Sequence, residues 1–427
     1  MASLKIALLS DLHFFVKDSI QTPAHSHLPL DPDGEIVKQN KGINKNPWDD
    51  LIELVNQQNL RCDVVLCPGD ITTRADKRAL KAGWKRLLEL GDCLGATWVC
   101  AATGNHDVAS RSNADIVGKN PARNWGDAAG ALETLKLLDP LYPVARKDHT
   151  SGKWLSLRAT QSSYFGESFV AVDDPNKQFH LLILNSCSEH GHDPYEYERG
   201  TAPESTLRWV KEDVLSIEED CIKLLMVHHP LFSMTGHDSQ GYDFVLRGDT
   251  LLKTLEKRGQ WLVLHGHKHQ GVIGLAATQS DDASVVLSAA SFAAAMEDNG
   301  PEDCENQFYV LDVEKPKGCP VRGTVKAWTW SYGVSWKRSP PGKGDRIYFD
   351  CGFGATKRAE DMADQIASEY ESGTTRWDDL VQAIPDLKHV LPTKLAQVHE
   401  KLQIKHQLTI EQEDAGWHVA ITRMVTQ

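Results

Sequence analysis

Five short apolar runs in this sequence each end in aspartate, asparagine or histidine residues, and this feature limits the possible folds most. The most informative ending is residues 103–107, Thr-Gly-Asn-His-Asp, which follows the apolar run 98–102. The other endings are Asp11-Leu12-His13, Gly69-Asp70, His228-His229-Pro230 and Gly266-His267-Lys268-His269. Short apolar runs of this kind predict buried strands. We therefore expect one site assembled from five strand ends.

Helical patterns separate the first three of these apolar runs. Residues 48–57 and 75–90 carry apolar side chains at helical spacing, between predicted strands at 5–10, 64–67 and 97–102. This alternation predicts a largely parallel sheet covered by helices. Sites in such sheets form at the carboxyl ends of the strands, which is where all five endings lie.

The side chains at these endings are types that bind transition metals. The candidate metal ligands are Asp11, His13, Asp70, Asn105, His228, His267 and His269. They combine nitrogen and oxygen donors without a thiolate, which suits manganese, iron, zinc or cobalt better than copper(I) or calcium. Two such ions about 3.5–4 Å apart can hold a phosphate group and activate a bridging hydroxide for in-line attack on phosphorus.

Two further residues at the third ending are candidates for catalysis. His106 is predicted to donate a proton or a hydrogen bond to the phosphate or the leaving group, and Asp107 to hold its ring in place. Loop residues with imidazole or guanidinium groups are candidates for substrate contacts, and the alternative for each is a loop position without such a contact. These residues are His25, His27, His190, His192, Arg199 and His237.

Composition disfavours several other classes of protein. There are 46 basic and 59 acidic residues, so the net charge is −13, which argues against broad binding to nucleic acid or an anionic membrane. Basic residues crowd one predicted helix around residues 74–86, where the alternative is a solvated helix face. The apolar run at residues 6–9 is too short to predict a signal peptide, and no apolar run reaches the roughly 18 residues that predict a membrane span. We predict a cytoplasmic protein with reduced cysteines, since no Cys-x-x-Cys pair occurs.

The sequence changes character beyond about residue 337. A Pro/Gly-rich stretch at 339–344 precedes helical patterns near 360–370 and 393–402 and a hairpin pattern around residues 414–416. We therefore predict a catalytic domain over residues 1–336 and an accessory, cap or interaction domain over residues 337–427. The second domain is a candidate for homo-oligomerisation or partner binding.

Taken together, the five endings resemble the signature of the calcineurin-like metallophosphoesterase superfamily, which is Asp-x-His, Gly-Asp, Gly-Asn-His-Asp/Glu, His and Gly-His-x-His. The resemblance spans residues 5–330 and implies an α/β fold, a four-layer αββα sandwich of two mixed sheets, here followed by a small α+β C-terminal extension. It implies two metal ions, one held by Asp11, His13, Asp70 and His269 and the other by Asp70, Asn105, His228 and His267. His228 is preferred to His229 because the superfamily's ligand lies two residues before the proline.

The branch of the superfamily bears on the substrate. Protein Ser/Thr phosphatases carry Gly-Asp-x-Val-Asp-Arg-Gly, and purple acid phosphatases have a tyrosine three residues after the bridging aspartate, where this chain has Thr73. The His-His-Pro and Gly-His-x-His forms look most like the cyclic-nucleotide phosphodiesterase group. The resemblance thus implies a metal-dependent phosphodiesterase that acts on a phosphate ester such as a nucleotide, with manganese favoured in vitro over iron or zinc. The alternative is a nuclease or a phosphomonoesterase using the same site, although nucleic acid is the less favoured partner.

Overall fold

The fold consists of two facing sheets, helices on their outer sides and a small C-terminal unit. A computed structural model describes residues 1–17, 26–37, 46–108, 110, 133–190, 199–213, 217, 220–232, 243–276, 283–295, 305–342, 344–370, 373–413 and 416–424.

The strands and helices are numbered here in chain order. The strands are β1 (Ala2–Leu8), β2 (Phe15–Val16), β3 (Pro29–Leu30), β4 (Val64–Cys67), β5 (Trp98–Ala101), β6 (Val144–Asp148), β7 (Lys153–Ser156), β8 (Phe169–Asp173), β9 (Phe179–Leu184), β10 (Ile222–Met226), β11 (Leu262–His265), β12 (Val272–Leu275), β13 (Val285–Ser288), β14 (Asn306–Lys315), β15 (Arg322–Ser331), β16 (Ser335–Arg338), β17 (Cys351–Phe353), β18 (Thr374–Arg376), β19 (Leu408–Gln412) and β20 (His418–Arg423). The α-helices are α1 (Pro47–Gln57), α2 (Lys77–Leu94), α3 (Arg158–Gly166), α4 (Glu204–Asp213), α5 (Gly248–Leu255), α6 (Ala359–Glu369), α7 (Trp377–Ala383) and α8 (Pro392–Lys401).

The first sheet is mixed, with a parallel centre. Its strand order is β16-β15-β14-β1-β4-β5-β6-β7, and β17 also pairs with β15. Strands β1, β4 and β5 run parallel, whereas β14 and β6 flank them in the antiparallel direction. Every residue of β4 and β5 is buried, as expected for parallel strands covered on both faces. The three parallel strands therefore end at one edge of the sheet.

The second sheet has the order β12-β13-β11-β10-β9-β8. Strands β9, β10, β11 and β13 are parallel, and the two edge strands are antiparallel. Alternation along β10 divides its side chains between two layers. Leu224 and Met226 join the core between the sheets, whereas Leu225 packs with Val210 of α4 and Leu252 of α5. The second sheet is thus covered by helices on its outer side.

Helices α1 and α2 cover the first sheet and complete the four layers. The side chain of Asn46 caps α1 by accepting the Asp49 N–H at 2.9 Å, and Asp76 caps α2. The indole N–H of Trp330 in β15 donates to Asp50 of α1 at 2.8 Å. The predicted αββα sandwich of two mixed sheets is confirmed.

The C-terminal unit has its own core and a three-stranded sheet of order β18-β20-β19. Met362 and Ile366 of α6 and Leu380 of α7 belong to this core. The first sheet, however, continues beyond the predicted boundary at residue 336, which falls inside β16. Strands β16 and β17 lie on either side of the Pro/Gly-rich stretch, and both pair with β15. We therefore place the domain boundary after Phe353.

None of the helices that the structure describes combines the length and the apolar character needed to cross a membrane.

Candidate metal centre

The carboxyl ends of strands from both sheets meet at one edge of the sandwich and carry the predicted metal ligands. Asp11 and His13 follow β1, Asp70 follows β4, Asn105 follows β5, His228 follows β10, and His267 and His269 follow β11. The structure brings all seven side chains together.

One group of donors is formed by Asp11, His13 and His269. The Nε2 atoms of His13 and His269 lie 3.3 Å apart, and His269 Nε2 is 3.3 Å from Asp11 Oδ1. Asp11 is fully buried and His13 is 4% exposed. The hydroxyl of Thr73 lies 3.3 Å from His13 Nδ1, so the opposite nitrogen of the ring faces the other donors. This is the arrangement expected of ligands around a common cation.

The second group is formed by Asn105, His228 and His267. The Asn105 Oδ1 atom lies 3.0 Å from His228 Nε2 and 3.2 Å from His267 Nδ1. The neighbouring His229 instead has its Nδ1 atom 2.8 Å from the Ser186 hydroxyl. His229 nevertheless belongs with His228 and His267 to a group that could hold a metal ion, so His228 as the ligand stays a prediction, with His229 as its alternative.

Asp70 lies between the two groups. Its Oδ2 atom is 3.4 Å from His228 Nε2 and 3.9 Å from His13 Nε2. Its Oδ1 atom accepts the backbone N–H of His106 at 2.7 Å. One buried carboxylate thus contacts both groups of donors, which is the position of a ligand that bridges two cations.

The backbone at this centre adopts an uncommon conformation. Positive φ angles between 52° and 71° occur at Asp11, His13, Asp70, His267 and His269. Asp and His are among the residue types that tolerate this left-handed region, and such residues cluster at functional sites. The sharp turns aim several side chains from short segments into one small volume.

Two motif glycines permit close approach of the chain segments. A Cβ atom at Gly104 would overlap Asp70, and one at Gly266 would overlap Asp11 and Ser10. Glycine is therefore required at both positions for the carboxylates to lie where they do.

The electrostatics of the centre suit metal binding. Burial would raise the pKa of Asp11 and of Asp70, but neighbouring histidines lower the pKa of both carboxyls below the ordinary value, so both are ionised. Burial lowers the pKa of His13 to about 3. Burial also lowers the pKa of His228, but the Asp70 charge outweighs it and raises that pKa to about 9. Ionised carboxylates and neutral imidazoles are the ligating forms, so His228 must lose a proton to bind a metal.

The two predicted catalytic residues differ in their surroundings. The His106 ring is partly exposed and lies 4.9 Å from the His13 ring, measured between centroids. Asp107 is fully buried, and its two oxygens accept the backbone N–H groups of Thr72 and Gly104, both at 2.9 Å. The structure thus gives Asp107 a different role from the predicted one: it fastens two loops that carry ligands, because its oxygens point to the backbone.

His190, predicted to contact substrate, lies behind Asn105. Its side chain is 8% exposed, its Nδ1 atom is 2.7 Å from the Ser110 hydroxyl, and its Nε2 atom donates to the Arg199 carbonyl at 2.9 Å. The Ser110 hydroxyl also lies 2.9 Å from the Asn105 carbonyl oxygen, so its one proton is shared between that oxygen and His190 Nδ1. Burial lowers the pKa of His190 to about 4, so the ring is neutral. His190 is therefore a positioning residue for the asparagine loop, which corrects the prediction.

The remaining predicted substrate contacts divide into two sets. The His27 ring lies 4.9 Å from the Trp330 ring and stacks at 6.5 Å on Tyr332, which is 54% exposed. Arg199 is partly exposed. Both could still face a substrate and stay predictions. His25, His192 and His237 lie outside the described residues.

Three positioning contacts were missed by sequence reasoning. They are the Thr73 hydroxyl beside His13, the Ser110 hydroxyl on the Asn105 carbonyl, and the ion pair between Lys268 and Asp243. Thr73 and Ser110 each lie within five residues of a ligand, and that proximity was the available signal. Asp243 carried no such signal because it is remote from Lys268 in the chain.

The geometry and the donor chemistry fit two metal ions, and comparison with known families agrees. Residues 4–271 match the family model described as Calcineurin-like phosphoesterase. The chain belongs to this family. The family consists of metal-dependent phosphoesterases that use a dinuclear metal site. The described residues include groups that could hold a metal ion, among them Asp11 with His13 and His269, and Asp11 with Asp70 and His228. Residues 351–403 match a second model, wHTH-Calcineurin_assc.

Several solved structures are similar to part of this chain. Purple acid phosphatase PPD1 from yellow lupin (Lupinus luteus) is 10% identical, with a TM-score of 0.42, over 77% of this chain and 52% of that one. Calcineurin-like phosphoesterase YfkN from Bacillus subtilis is 12% identical, with a TM-score of 0.33, over 76% of this chain and 90% of that one. Phosphopantetheinyl hydrolase (PptH) from Mycobacterium tuberculosis is 11% identical, with a TM-score of 0.30, over 68% of this chain and 90% of that one. The chain spans about half the length of the lupin structure.

No curated protein matches the sequence. The family assignment therefore rests on the family model and on the residues of the centre.

The second family model matches residues 351–403, which lie mostly in the C-terminal unit. The element order α6-β18-α7-α8-β19-β20, with β20 between β18 and β19, resembles a winged helix with a hairpin wing. The hairpin predicted around residues 414–416 is confirmed by the antiparallel pairing of β19 and β20. We refer to residues 354–424 as the winged-helix unit.

Proposed function

We propose that this chain is a dinuclear metal-dependent phosphodiesterase. The observation that carries the proposal is the position of Asp70 between two groups of donors, most of which are buried. We assign Asp11, His13, Asp70 and His269 to one ion, and Asp70, Asn105, His228 and His267 to the other. Manganese, iron and zinc all suit this mixed set of nitrogen and oxygen donors.

The chemistry divides between the ions and the chain. Bound metal ions supply Lewis-acid polarisation of the phosphate group and lower the pKa of a water nucleophile. The chain holds the ligand groups rigidly, and its ionised Asp11 and Asp70 offset the charge of the ions. The partly exposed His106 imidazole, adjacent to Asp70, is the group that donates a proton or a hydrogen bond to the departing oxygen. Asp107 keeps the Asp70 and Asn105 loops in register.

The preference for a diester rests on the motif forms at residues 228–230 and 266–269.

We further propose a nucleotide-type substrate and a cytoplasmic location. The location is supported by the eight described cysteines, which are free thiols and mostly buried, as suits a reducing compartment.

A paired assay tests the proposal. Protein reconstituted with Mn²⁺ is given bis(p-nitrophenyl) phosphate and p-nitrophenyl phosphate side by side, and Asp70→Ala is compared with Asp33→Ala, an exposed control. We expect faster cleavage of the diester, and loss of both metal and turnover in Asp70→Ala only. Full activity in a folded Asp70→Ala preparation would refute the metal mechanism, and a monoester preference would replace phosphodiesterase by phosphomonoesterase.

A second candidate, a nuclease, is favoured by one surface feature. The basic residues Arg74, Lys77, Arg78, Lys81 and Lys85 are exposed on α2 and the turn before it, which begins four residues after Asp70. A nucleic-acid backbone bound there would make the affinity fall steeply with salt. Binding of a fluorescent oligonucleotide is measured against salt concentration for wild type, Lys77→Ala with Lys81→Ala, and the exposed control Lys257→Ala. If the chain is a nuclease, the affinity of the double variant for the oligonucleotide should depend less on salt than that of wild type, and the Lys257→Ala control should match wild type.

The winged-helix unit stays a candidate for self-association. Three exposed apolar side chains on it, Ile404, Val419 and Met424, are 72%, 47% and 42% exposed. We expect Ile404→Glu to lower the mass measured by light scattering if this surface joins two copies. An unchanged monomeric mass in both proteins would remove this role.

A further inference from the structure

A cleft lies between the first sheet and the winged-helix unit, away from the proposed metal ligands. Its volume is about 650 Å³, within the roughly 300–1,000 Å³ of small-molecule sites. One wall is formed by β15, β16 and residues 348–350, and the other by α7 and the wing hairpin. The Ala355 N–H donates to the His389 carbonyl at 2.8 Å, and the His389 side chain contacts the Gly323 carbonyl at 3.2 Å. The first bond lies within the winged-helix unit, and the second joins that unit to β15 of the first sheet beside the cleft.

The sheet wall carries two cations, Lys326 of β15 and Arg338 of β16. The Arg338 guanidinium lies 4.6 Å from the centre of the Phe349 ring, which holds it in place. Within the described part of the chain, neither cation has an ion-pair partner within 4 Å. The Asp312 carboxylate on the same wall is paired with Lys5 at 3.2 Å. Asp350 also lies on this wall, where burial raises its pKa and the charges of Lys326 and Arg338 oppose that rise, and the carboxyls of Asp378 and Glu413 line the cleft elsewhere. A phosphate group bound here would meet the guanidinium, which forms paired hydrogen bonds with phosphate oxygens.

The opposite wall is aromatic. Trp377, Trp417 and His418 line it, and Tyr348 closes the cleft from the sheet side. The His418 ring lies 5.0 Å from the Trp377 ring and 6.3 Å from the Tyr348 ring. Burial lowers the pKa of His418 to about 4, so this imidazole is a neutral aromatic surface at neutral pH. Such a wall stacks well on a planar heteroaromatic ring.

We propose that this cleft binds a mononucleotide, with its base against Trp377 and Trp417 and its phosphate at Lys326 and Arg338. The ligand would bridge the two units. The volume is too large for a lone inorganic anion. A nucleic-acid strand is disfavoured because residues 351–427 carry 8 basic and 12 acidic residues, whereas strand binding needs a net positive groove.

Isothermal titration calorimetry on the full-length protein tests the proposal. AMP, GMP, CMP and UMP are titrated into wild type and into Asp70→Ala, which separates this cleft from the metal centre. Adenosine and inorganic phosphate serve as partial ligands. We expect at least one mononucleotide to bind equally well to both proteins, and at least tenfold more tightly than either partial ligand. Because Asp70→Ala lacks the proposed activity, failure of the phosphodiesterase proposal would not affect this result.

Substitutions in the cleft locate the binding. Trp417→Ala and Arg338→Gln should each weaken nucleotide binding about tenfold or more, the effect expected for one stacked base or one charge-assisted hydrogen bond. Lys337→Ala is the matched control, since Lys337 is an exposed neighbour on β16 that does not line the cleft, and it should change affinity less than twofold. Thermal unfolding confirms that each variant is folded, and Trp417→Phe replaces Trp417→Ala if it is not. The proposal is overturned if no mononucleotide binds with a dissociation constant of about 1 mM or lower, which corresponds to a binding free energy of roughly −4 kcal/mol. It is also overturned if adenosine or phosphate binds as tightly as the nucleotide, or if both cleft variants retain wild-type affinity.

Discussion

Substitution of Gly104 by alanine should disable the metal centre by displacing the bridging carboxylate. A Cβ atom at position 104 would lie 2.7 Å from Asp70 Cγ, which is 0.7 Å less than the 3.4 Å at which ordinary contact begins. The same atom would meet the Asp70 carboxylate oxygen and backbone nitrogen at still shorter range. Neither can yield easily, because Asp70 is 1% exposed and its Oδ1 atom accepts the His106 N–H.

The expected magnitude follows from the tolerance of metal coordination. Ligand distances are held to within about 0.2 Å, so a shift of 0.7 Å removes Asp70 from good geometry for both ions. We expect metal affinity to fall by at least the 10–100-fold typical of a disturbed outer-shell partner, about 1.4–2.7 kcal/mol. Overpacking should also lower the free energy of unfolding by about 1–3 kcal/mol.

Metal content after desalting, thermal unfolding and diester hydrolysis measure these effects. Gly166→Ala and Gly274→Ala are the matched controls, since a Cβ atom there meets no heavy atom within 4 Å and neither glycine needs a positive φ. Asp70→Asn, which keeps the shape of the side chain, replaces Gly104→Ala if that variant does not fold. A folded Gly104→Ala protein with two metal equivalents and activity within twofold of wild type would refute the reasoning.

Three further predictions concern protonation, positioning and packing. The pKa of His228 in the folded protein is about 9, so metal binding below that pH must release its proton, and metal affinity should rise with pH up to about 9. Calorimetry in two buffers of different ionisation enthalpy detects this proton release. If no proton is released at neutral pH, the assignment of His228 as a ligand is wrong. Ser110→Ala removes the bond to the Asn105 carbonyl and should lower kcat by about 10–100-fold with little change in Tm, whereas the exposed Ser151→Ala should leave kcat unchanged. Trp336→Phe removes the hydrogen bond of 2.9 Å from the indole N–H to the Pro47 carbonyl of α1. It should lower the free energy of unfolding measured in urea by about 0.5–1.5 kcal/mol and leave activity unchanged. A loss of turnover would show that packing around Trp336 affects the metal centre.

The fold, and the meeting of the seven candidate ligands at one edge, could be predicted because both depend on short-range patterns. Each ligand directly follows an apolar strand, and parallel strands bring their carboxyl ends to one edge. The role of Asp107 could not be predicted in this way, since its partner Thr72 lies 35 positions away. The role of His190 likewise depends on Ser110, which is 80 positions away. Local sequence gives the chemical type of a side chain but not which distant backbone group it will meet.

The C-terminal boundary shows a related limit. A run of prolines and glycines predicts a connection between elements, and residues 339–344 do connect two elements. Both flanking elements, β16 and β17, nevertheless belong to the same sheet. The composition of a connection therefore identifies a turn but does not tell whether the next strand starts a new domain. Pairing with β15, which the sequence pattern does not encode locally, decides the boundary.

The backbone conformation of the ligands was also beyond sequence reasoning, and it explains why the centre needs the whole fold. Five of the seven proposed ligands have positive φ angles. Each such residue typically adds about 1–3 kcal/mol of conformational strain to the folded state, and the strain is at the low end for Asp and His because these residues tolerate this region. Even at the lower limit the sum is comparable with the roughly 5–15 kcal/mol of net stability of a typical domain. The buried strands on both sides of each turn must therefore hold the strain, and metal binding offsets it only once the donors have been brought together. Short ligand motifs transplanted without these strands should not form the centre, since they would keep the donors and lose the turns that aim them.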